Sequence, residues 1–457
     1  MKTSARAAAI EILSQWEKTA QPIDRLLDEG LPPDALADRR DYSLTMALVY
    51  GVLRWRGYLD WLLTDYSRHP LDKMKSRTRQ ALRVGLYQLL FMDRVPAAAA
   101  LNETVKALKS AGQPGWLIGF VNGLLRNLSR RRPELPAPGQ VDAALPAAAA
   151  LSHPDWLFER WQKRYGRNQA LAICRQNNSQ PPLSLRVNTK LTTVAQFIKN
   201  LSQAGLAAQP GFFAPAAVRL TEYSGPVAQI PGYAEGCFQV QDEAAQLVAG
   251  LLLPLRPGQS YLDGCAGLGG KTSQLAEMLP AGDPPARLLA VEPNERRLRL
   301  LKENLARLQL AAPVHIFHTG LETLRDQPGQ FAGILLDVPC SGLGVIRRHP
   351  DIRWSRQPAD LGRYRQKQLA LLGLAAPLAA PGGIVVYATC SMEPEENEEV
   401  VLGFLAAHPE FALTDGKNFL PPAAAELVDG QGFLRTVPDE RGLDGFFAAR
   451  LVKRTTS

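Results

Sequence analysis

Cysteine and histidine are scarce in this chain, with five of one and six of the other among 457 residues. Cys174, Cys237, Cys265, Cys340 and Cys390 are odd in number, widely spaced and never arranged as Cys-x-x-Cys. That pattern argues against a disulfide framework, and the histidines form no metal-spaced cluster, so no zinc or other metal site is expected. A reducing cytoplasm fits such cysteine usage. A long uninterrupted apolar run is also missing. The charge-free stretch Ala370 to Cys390 has nearly the length of a membrane span, but Pro377, Pro381, Gly382 and Gly383 break it into a helix end, a turn and a strand. The first residues, Met1 to Arg6, lead into an amphipathic pattern rather than a signal-peptide core. No membrane segment is expected.

What is present is ordinary in bulk, 46% apolar and 21% charged residues, and long enough for two to four domains. The net charge of +8 permits a polyanionic partner. The excess is uneven: residues 1–150 hold 21 Lys/Arg against 15 Asp/Glu. Lys73, Lys75, Arg77, Arg79 and Arg83 fall in eleven residues that contain no acid, and Arg130-Arg131-Arg132 follows. Charge alone leaves open whether these meet a nucleic acid or form a solvated helix face.

Residues 1–132 carry helical periodicity almost throughout, as in Ala7, Ile10, Leu13 and Trp16, and predict an all-helical domain. Residues 133–154 are rich in Pro and Ala and read as a linker or extended strap. Residues 155–240 read as a small α+β unit, with strands at Leu183–Val187 and near Ala217–Leu220. From 241 to 457 short apolar strands alternate with helices: 260–263, 288–291, 314–317, 334–337 and 384–388. That alternation predicts an α/β, Rossmann-like, doubly wound and mostly parallel sheet. Segments 433–437 and 445–451 read as an antiparallel pair at its edge.

Tyr261 to Thr272 combines a strand, a glycine-rich turn and a helix start: Asp263-Gly264-Cys265-Ala266-Gly267-Leu268-Gly269-Gly270-Lys271-Thr272. Glycines let a backbone approach its ligand, and helix-start amides favour negative groups. Glu292, ending the next strand, suits the two hydroxyls of a ribose. A triphosphate loop would need glycine where Cys265 stands, and a dinucleotide loop would need glycine at Thr272. S-adenosylmethionine requires neither phosphate pattern. The expected cofactor contacts are therefore Cys265, Ala266, Gly267, Leu268, Gly269, Gly270, Lys271 and Glu292, joined by Asp337.

Two further signatures end predicted strands, Asp337-Val338-Pro339-Cys340-Ser341-Gly342 and Thr389-Cys390-Ser391. Strand ends beside the glycine turn put both thiols at one pocket, where open α/β sheets place ligands. Cys174 and Cys237 read instead as buried, inert thiols.

These elements resemble those of the Nol1/Nop2/Sun family of RNA (cytosine-5) methyltransferases: the glycine turn, the Pro-Cys-Ser-Gly element and the Thr-Cys-Ser element. Arg186-Val187-Asn188, Gln241 to Ala245, His349 to Trp354 and Asp444 to Phe447 match as well, so the likeness spans residues 150–452. Phe120 to Arg126 and Ser152-His153-Pro154 resemble a NusB-type RNA-binding domain, a fusion similar to the bacterial branch that methylates 16S ribosomal RNA. The resemblance implies Cys390 as nucleophile, Cys340 as an aid to product release and Asp337 as stabiliser of the activated pyrimidine. It also implies S-adenosyl-L-methionine as cofactor and 16S ribosomal RNA, free or in a partly assembled small subunit, as partner of a monomeric enzyme. In this light the N-terminal basic cluster is expected to contact phosphate, and Arg347, Arg348, Arg353, Arg356, Arg363, Arg365 and Lys367 to line an RNA path.

The chain departs from the family at Gly267-Leu268, which replace Ala-Pro. It departs again at Glu292, often Asp, and near His318 to Leu321, where many relatives carry an Asp toward the adenine and Leu321 falls at or beside that place. Alternatives are a tRNA cytosine-5 methyltransferase or a non-catalytic RNA-binding assembly factor, against which the intact loop, Asp337 and both thiols argue.

Overall fold

The computed structural model describes residues 4–31, 39–141, 145–223, 225–326 and 329–455. The chain separates into two compact units, 1–179 with 346–356, and 180–345 with 357–457.

The first unit is helical among its described residues. Its helices include Ala5–Thr19, Arg39–Tyr66, Ser76–Phe91, Ala97–Ser110 and Gly115–Arg130. Ser4 caps the first by accepting from the amide of Ala7, one orphan donor satisfied at the helix start. Ile10, Leu13, Leu48, Val52, Leu59, Leu82, Val121 and Leu125 form its core. The helices Asp155–Tyr165 and Arg167–Asn178 fall in this compact unit too. The Pro/Ala-rich stretch is packed as a strap: Leu145, Ala150 and Leu151 are buried, and Tyr58 donates to the carbonyl of Pro136 at 2.5 Å.

The basic run divides on folding. Arg83 is buried and donates to both carboxylate oxygens of Asp60 at 2.7 Å and to Glu17 at 3.1 Å. Arg79 pairs with Glu17 at 2.8 Å and Arg77 with Glu11. Their acids lie about 20 to 70 residues away in sequence, so a local count of charge could not reveal them. Only Lys73 and Lys75 of the five are exposed and outside these pairs. Within this run the phosphate-contact expectation narrows to those two lysines, while Arg130, Arg131 and Arg132 are exposed as well.

The segment 346–356 also corrects an expectation. Arg353 is buried, donating to the carbonyls of Ser152 (2.9 Å) and Asn177 (3.1 Å) and to the Asn178 side chain (2.7 Å). Arg347 is buried against Gln176, at 2.9 Å to its carbonyl and to its side chain. Trp354 donates to the carbonyl of Leu53 at 2.6 Å. These side chains knit the helical unit and do not line an RNA path. Arg363 and Arg365 pair with Asp360 and Glu399, leaving Lys367 exposed.

The second unit begins with a small antiparallel sheet of β1 (Leu183–Val187), β2 (Ala208–Pro210), β3 (Ala217–Leu220) and β4 (Phe238–Val240), ordered β2-β3-β1-β4. Leu185, Val187, Phe197, Leu201, Val218 and Phe238 are its core. The large sheet contains β5 (Ser260–Asp263), β6 (Arg287–Val291), β7 (Val314–Phe317), β8 (Phe331–Asp337) and β9 (Ala379–Thr389), followed by β10 (Phe411–Thr414), β11 (Leu434–Arg435) and β12 (Phe447–Lys453). Its order is β10-β12-β9-β8-β5-β6-β7, with β11 paired to β12. β5 to β9 run parallel, whereas β12 is antiparallel to β9 and to β10.

β12 is thus an interior strand, not an edge, and β10 forms the edge beyond it. Both faces of the sheet are covered. Ile334 and Leu336 join one core with Leu372 and Val401, while Leu335 and Val386 join the other with Leu247 and Leu275, the two-residue alternation of a strand. The order of strands reverses between β8 and β5, so a crevice opens beyond their C-terminal ends, which carry Asp337 and Asp263.

Candidate active site

Four strand ends meet at that crevice. After β5 the chain turns through Gly267 (φ +56°) and Gly269 (φ +88°) into the helix Gly270–Met278. Both angles lie in the left-handed region that favours glycine, and a Cβ on Gly269 would lie 2.5 Å from Leu301. Asp263, buried at the end of β5, accepts from the Cys265 amide (3.2 Å) and from the Thr272 hydroxyl (2.7 Å), fixing both ends of the turn. Glu292, at the end of β6, is buried and accepts from the amides of Gly267 (3.0 Å) and Asn294 (2.8 Å). A carboxylate oxygen has two lone pairs, so each Glu292 oxygen keeps acceptor capacity for a ligand hydroxyl. The open turn, the helix start and this acid fit the carboxylate and ribose of S-adenosylmethionine.

The Cys265 thiol is raised by burial and by Asp263, Asp337 and Glu292. It stays a neutral packing group while its backbone builds the turn. Leu321 is buried, close to Gly264, and brings no polar atom to the place where relatives carry Asp.

Lys271, in the first turn of the helix, reaches Asp337 at the end of β8 with 2.6 Å between Nζ and Oδ2. The group at the crevice is therefore an ammonium–carboxylate pair rather than the lone acid expected from sequence. The helix itself is braced from β1. Arg186 is buried and donates to the carbonyl of Gly270 (2.7 Å), to Ser273 Oγ (2.8 Å) and to Gln241. Burial lowers its guanidinium to about 10, opposed by Glu277. Asn188 donates to the carbonyls of Gly236 and Leu308 at 3.1 and 2.9 Å. Arg186 and Gln241 thus brace the start of the helix that follows the glycine turn.

Beyond β8 and β9 the two signature thiols face each other, with 3.1 Å between the sulfurs of Cys340 and Cys390. Both are half-buried and neither is in a disulfide. The hydrogen bond to Cys390, then burial, then the charge of Cys390, with Glu396 and Asp337 after it, raise the Cys340 thiol well above its ordinary value. The approach depends on glycine: the amide of Gly344 donates to the Cys390 carbonyl at 3.0 Å, and the amide of Gly445 to the Gly344 carbonyl at 2.8 Å. A Cβ on Gly344 would sit 2.0 Å from the Gly445 oxygen.

Glu396 lies beneath the thiols, buried and unforeseen from sequence. Its carboxylate accepts from the hydroxyls of Ser341 and Ser391, both at 2.5 Å, from the Ser341 amide at 2.7 Å and from Gln368 at 3.1 Å.

Residues 250–452 match the family described as 16S rRNA methyltransferase RsmB/F. Residues 3–130 match the NusB family, and 153–227 the RsmF/B-like ferredoxin-like domain. The ribosomal RNA small subunit methyltransferase B of Salmonella agona (strain SL483) is 38% identical over 443 residues, 95% of this chain and 97% of its own. The chain belongs to the RsmB/F methyltransferase family.

Among solved structures, PH0851 aligns at TM-score 0.80 with 25% identity, over 99% of this chain and all of its own. A methyltransferase homologue from Pyrococcus horikoshii aligns at 0.55 with 27% identity, over 67% of this chain and 97% of its own. Against the family background, the structure brings Asp337, Cys340 and Cys390 to adjacent ends of paired strands β8 and β9, and Glu292 to the glycine turn. No group of three His, Cys, Asp or Glu among the described residues is placed to hold a metal. No described helix is long and apolar enough to cross a membrane.

Proposed function

We propose that the chain transfers a methyl group from S-adenosylmethionine to carbon 5 of a cytosine in 16S ribosomal RNA, by way of a covalent adduct with Cys390. The observation that carries this reading is the pair of thiols 3.1 Å apart at the ends of β8 and β9. An RNA methyltransferase working on a nitrogen or an oxygen has no need of two adjacent cysteines.

Carbon 5 of cytosine is a weak nucleophile. A thiolate adding to carbon 6 forms an S–C6 bond and moves the C5–C6 π electrons onto carbon 5. Cys390 takes this part, as the family resemblance implies, with Cys340 beside it at 3.1 Å. The Lys271–Asp337 pair offers a donor and an acceptor for the polar edge of the pyrimidine, where charge develops. S-adenosylmethionine, held by Cys265 to Lys271 and by Glu292, supplies the methyl group. A base, for which a water at the open crevice suffices, takes the C5 proton. The C5–H pair re-forms the C5–C6 double bond and the S–C6 bond breaks, so its electron pair returns to Cys390. The Cys340 S–H can donate to that departing thiolate. The target base is expected to be unpaired or flipped out, because only then are both ring faces reachable. Free thiols at the centre suit a reducing cytoplasm.

The test is incubation of wild type, Cys390→Ala and Cys340→Ala with 16S rRNA fragments and labelled cofactor. Cys390→Ala should lose at least about a thousandfold in transfer, and Cys340→Ala should accumulate a denaturation-resistant protein–RNA adduct. Methyl transfer at the wild-type rate by Cys390→Ala would remove the nucleophile assignment.

A further inference from the structure

Each reactive cysteine is followed by a serine, and the repetition has a physical cause in the fold. The Ser341 and Ser391 hydroxyls are 3.2 Å apart, and each donates to the same carboxylate oxygen of Glu396, both at 2.5 Å. The other oxygen takes the Ser341 amide and Gln368 Nε2. The Glu396 carbonyl is held by the hydroxyl of Tyr387, on β9, at 2.5 Å. The next residue, Asn397, accepts from Thr389 Oγ1 at 2.6 Å and donates to the Ser391 carbonyl at 3.0 Å. The side chains of Thr389 and Ser391, on either side of Cys390, are thus both tied to the 396–397 pair.

We infer that Glu396 is the positioning residue of the thiol pair, its one carboxylate fixing the separation of Cys340 and Cys390 and setting a buried acid beside them. The geometric half of the claim is direct. Two loops leaving neighbouring strands could splay by several ångströms, and a single buried acceptor shared by both serines prevents it. The electrostatic half follows from proximity: the charge of Glu396 contributes to raising the Cys340 thiol, whose proton then faces the Cys390 sulfur. Burying a carboxylate costs free energy unless it is hydrogen-bonded; four donors offset part of that cost here, and burial still pushes the Glu396 carboxyl above its ordinary value. A side chain kept only for packing would need no charge here.

The inference rests on the proposed reaction for its catalytic meaning, but its test does not. Glu396→Gln is nearly isosteric, and Glu396→Ala removes the acceptor altogether. Alkylation of Cys340 by iodoacetamide is followed against pH by peptide-resolved mass spectrometry in the Cys390→Ala background, with and without Glu396→Gln. Removing the charge should move half-alkylation of Cys340 downward by about one pH unit.

In the chain with both thiols, Glu396→Gln should lower kcat tenfold or more while KM for RNA and the cofactor Kd stay within twofold. Ser391→Ala, which removes one of the two bridging donors, should lower kcat in the same direction. An unmoved alkylation profile in Glu396→Gln, with the fold intact by thermal melting, would overturn the inference even if methyl transfer proved correct. A moved profile in a protein that forms no cytosine adduct would instead leave Glu396 standing and fell the reaction. Glu396→Ala, should it melt early, reports only on folding, and the glutamine variant keeps the question answerable.

Discussion

Burial pushes the Asp263 carboxyl up to about 6, against hydrogen bonds from Thr272 and the Cys265 amide that favour its charged form. Its folded value lies above the ordinary 3.8, so protonation is favoured by folding. The resulting stability is complete below about pH 4 and is lost as pH rises through about 6. Asp263→Asn removes this titration while keeping an oxygen for the turn. The stability of wild type minus that of the variant should fall by up to about 3 kcal/mol between pH 4 and 7. Urea melts at several pH values read this difference directly, and parallel stability curves for the two proteins would contradict the account. Asp263 was legible only as the first residue of the glycine turn. Its burial depends on β6 and β8 closing over β5, which no local pattern reports.

At the scale of elements, the brace behind the cofactor turn makes the sharpest claim. Arg186 gives its donors to Gly270, Ser273 and Gln241 and sits 3.6 Å from Glu277, which is itself buried. Arg186→Met should cost about 3–5 kcal/mol, since it removes the cation facing buried Glu277, whose other oxygen is held by Thr189, as well as freeing the helix start. It should also weaken S-adenosylmethionine binding measured by calorimetry, although Arg186 is not a contact of the cofactor turn's open side. Stability lost with cofactor affinity unchanged would separate the brace from the site.

The parallel strands were legible because each is a short apolar run buried on both faces, and the turn because its glycines are obligatory. The placement of β12 was not. Its apolar run reads the same at an edge or in the interior, and only pairing to β9 and to the short β10 decides. Glu396 escaped for the same reason: a glutamate inside Glu395-Glu396-Asn397-Glu398-Glu399 looks like a solvated helix start. The signal that pointed to it was the serine repeated after each cysteine.

Over the whole molecule, charge counted along the chain overstates the surface available to RNA. The two compact units each neutralise part of the basic excess internally: Arg79 and Arg83 on Glu17 and Asp60 in one, Arg435 on Glu398 and Asp429 in the other. Phosphate contacts release counterions, so each lysine or arginine that meets RNA adds about 0.7–0.9 to the slope of log affinity against log salt. Lys73→Ala and Lys75→Ala together should therefore lower that slope by up to about 2 and weaken binding evenly across RNA sequences. Arg83→Ala should behave otherwise. It leaves Asp60 and Glu17 without their buried partner, so it should destabilise the helical unit by about 3–5 kcal/mol. Under conditions where it stays folded, its salt slope should match wild type. Fluorescence anisotropy across a salt series, paired with thermal melting, separates the two classes. If Arg83→Ala flattened the salt dependence and left the melting temperature unmoved, the buried pairing with Asp60 would not be what removes this arginine from the RNA surface.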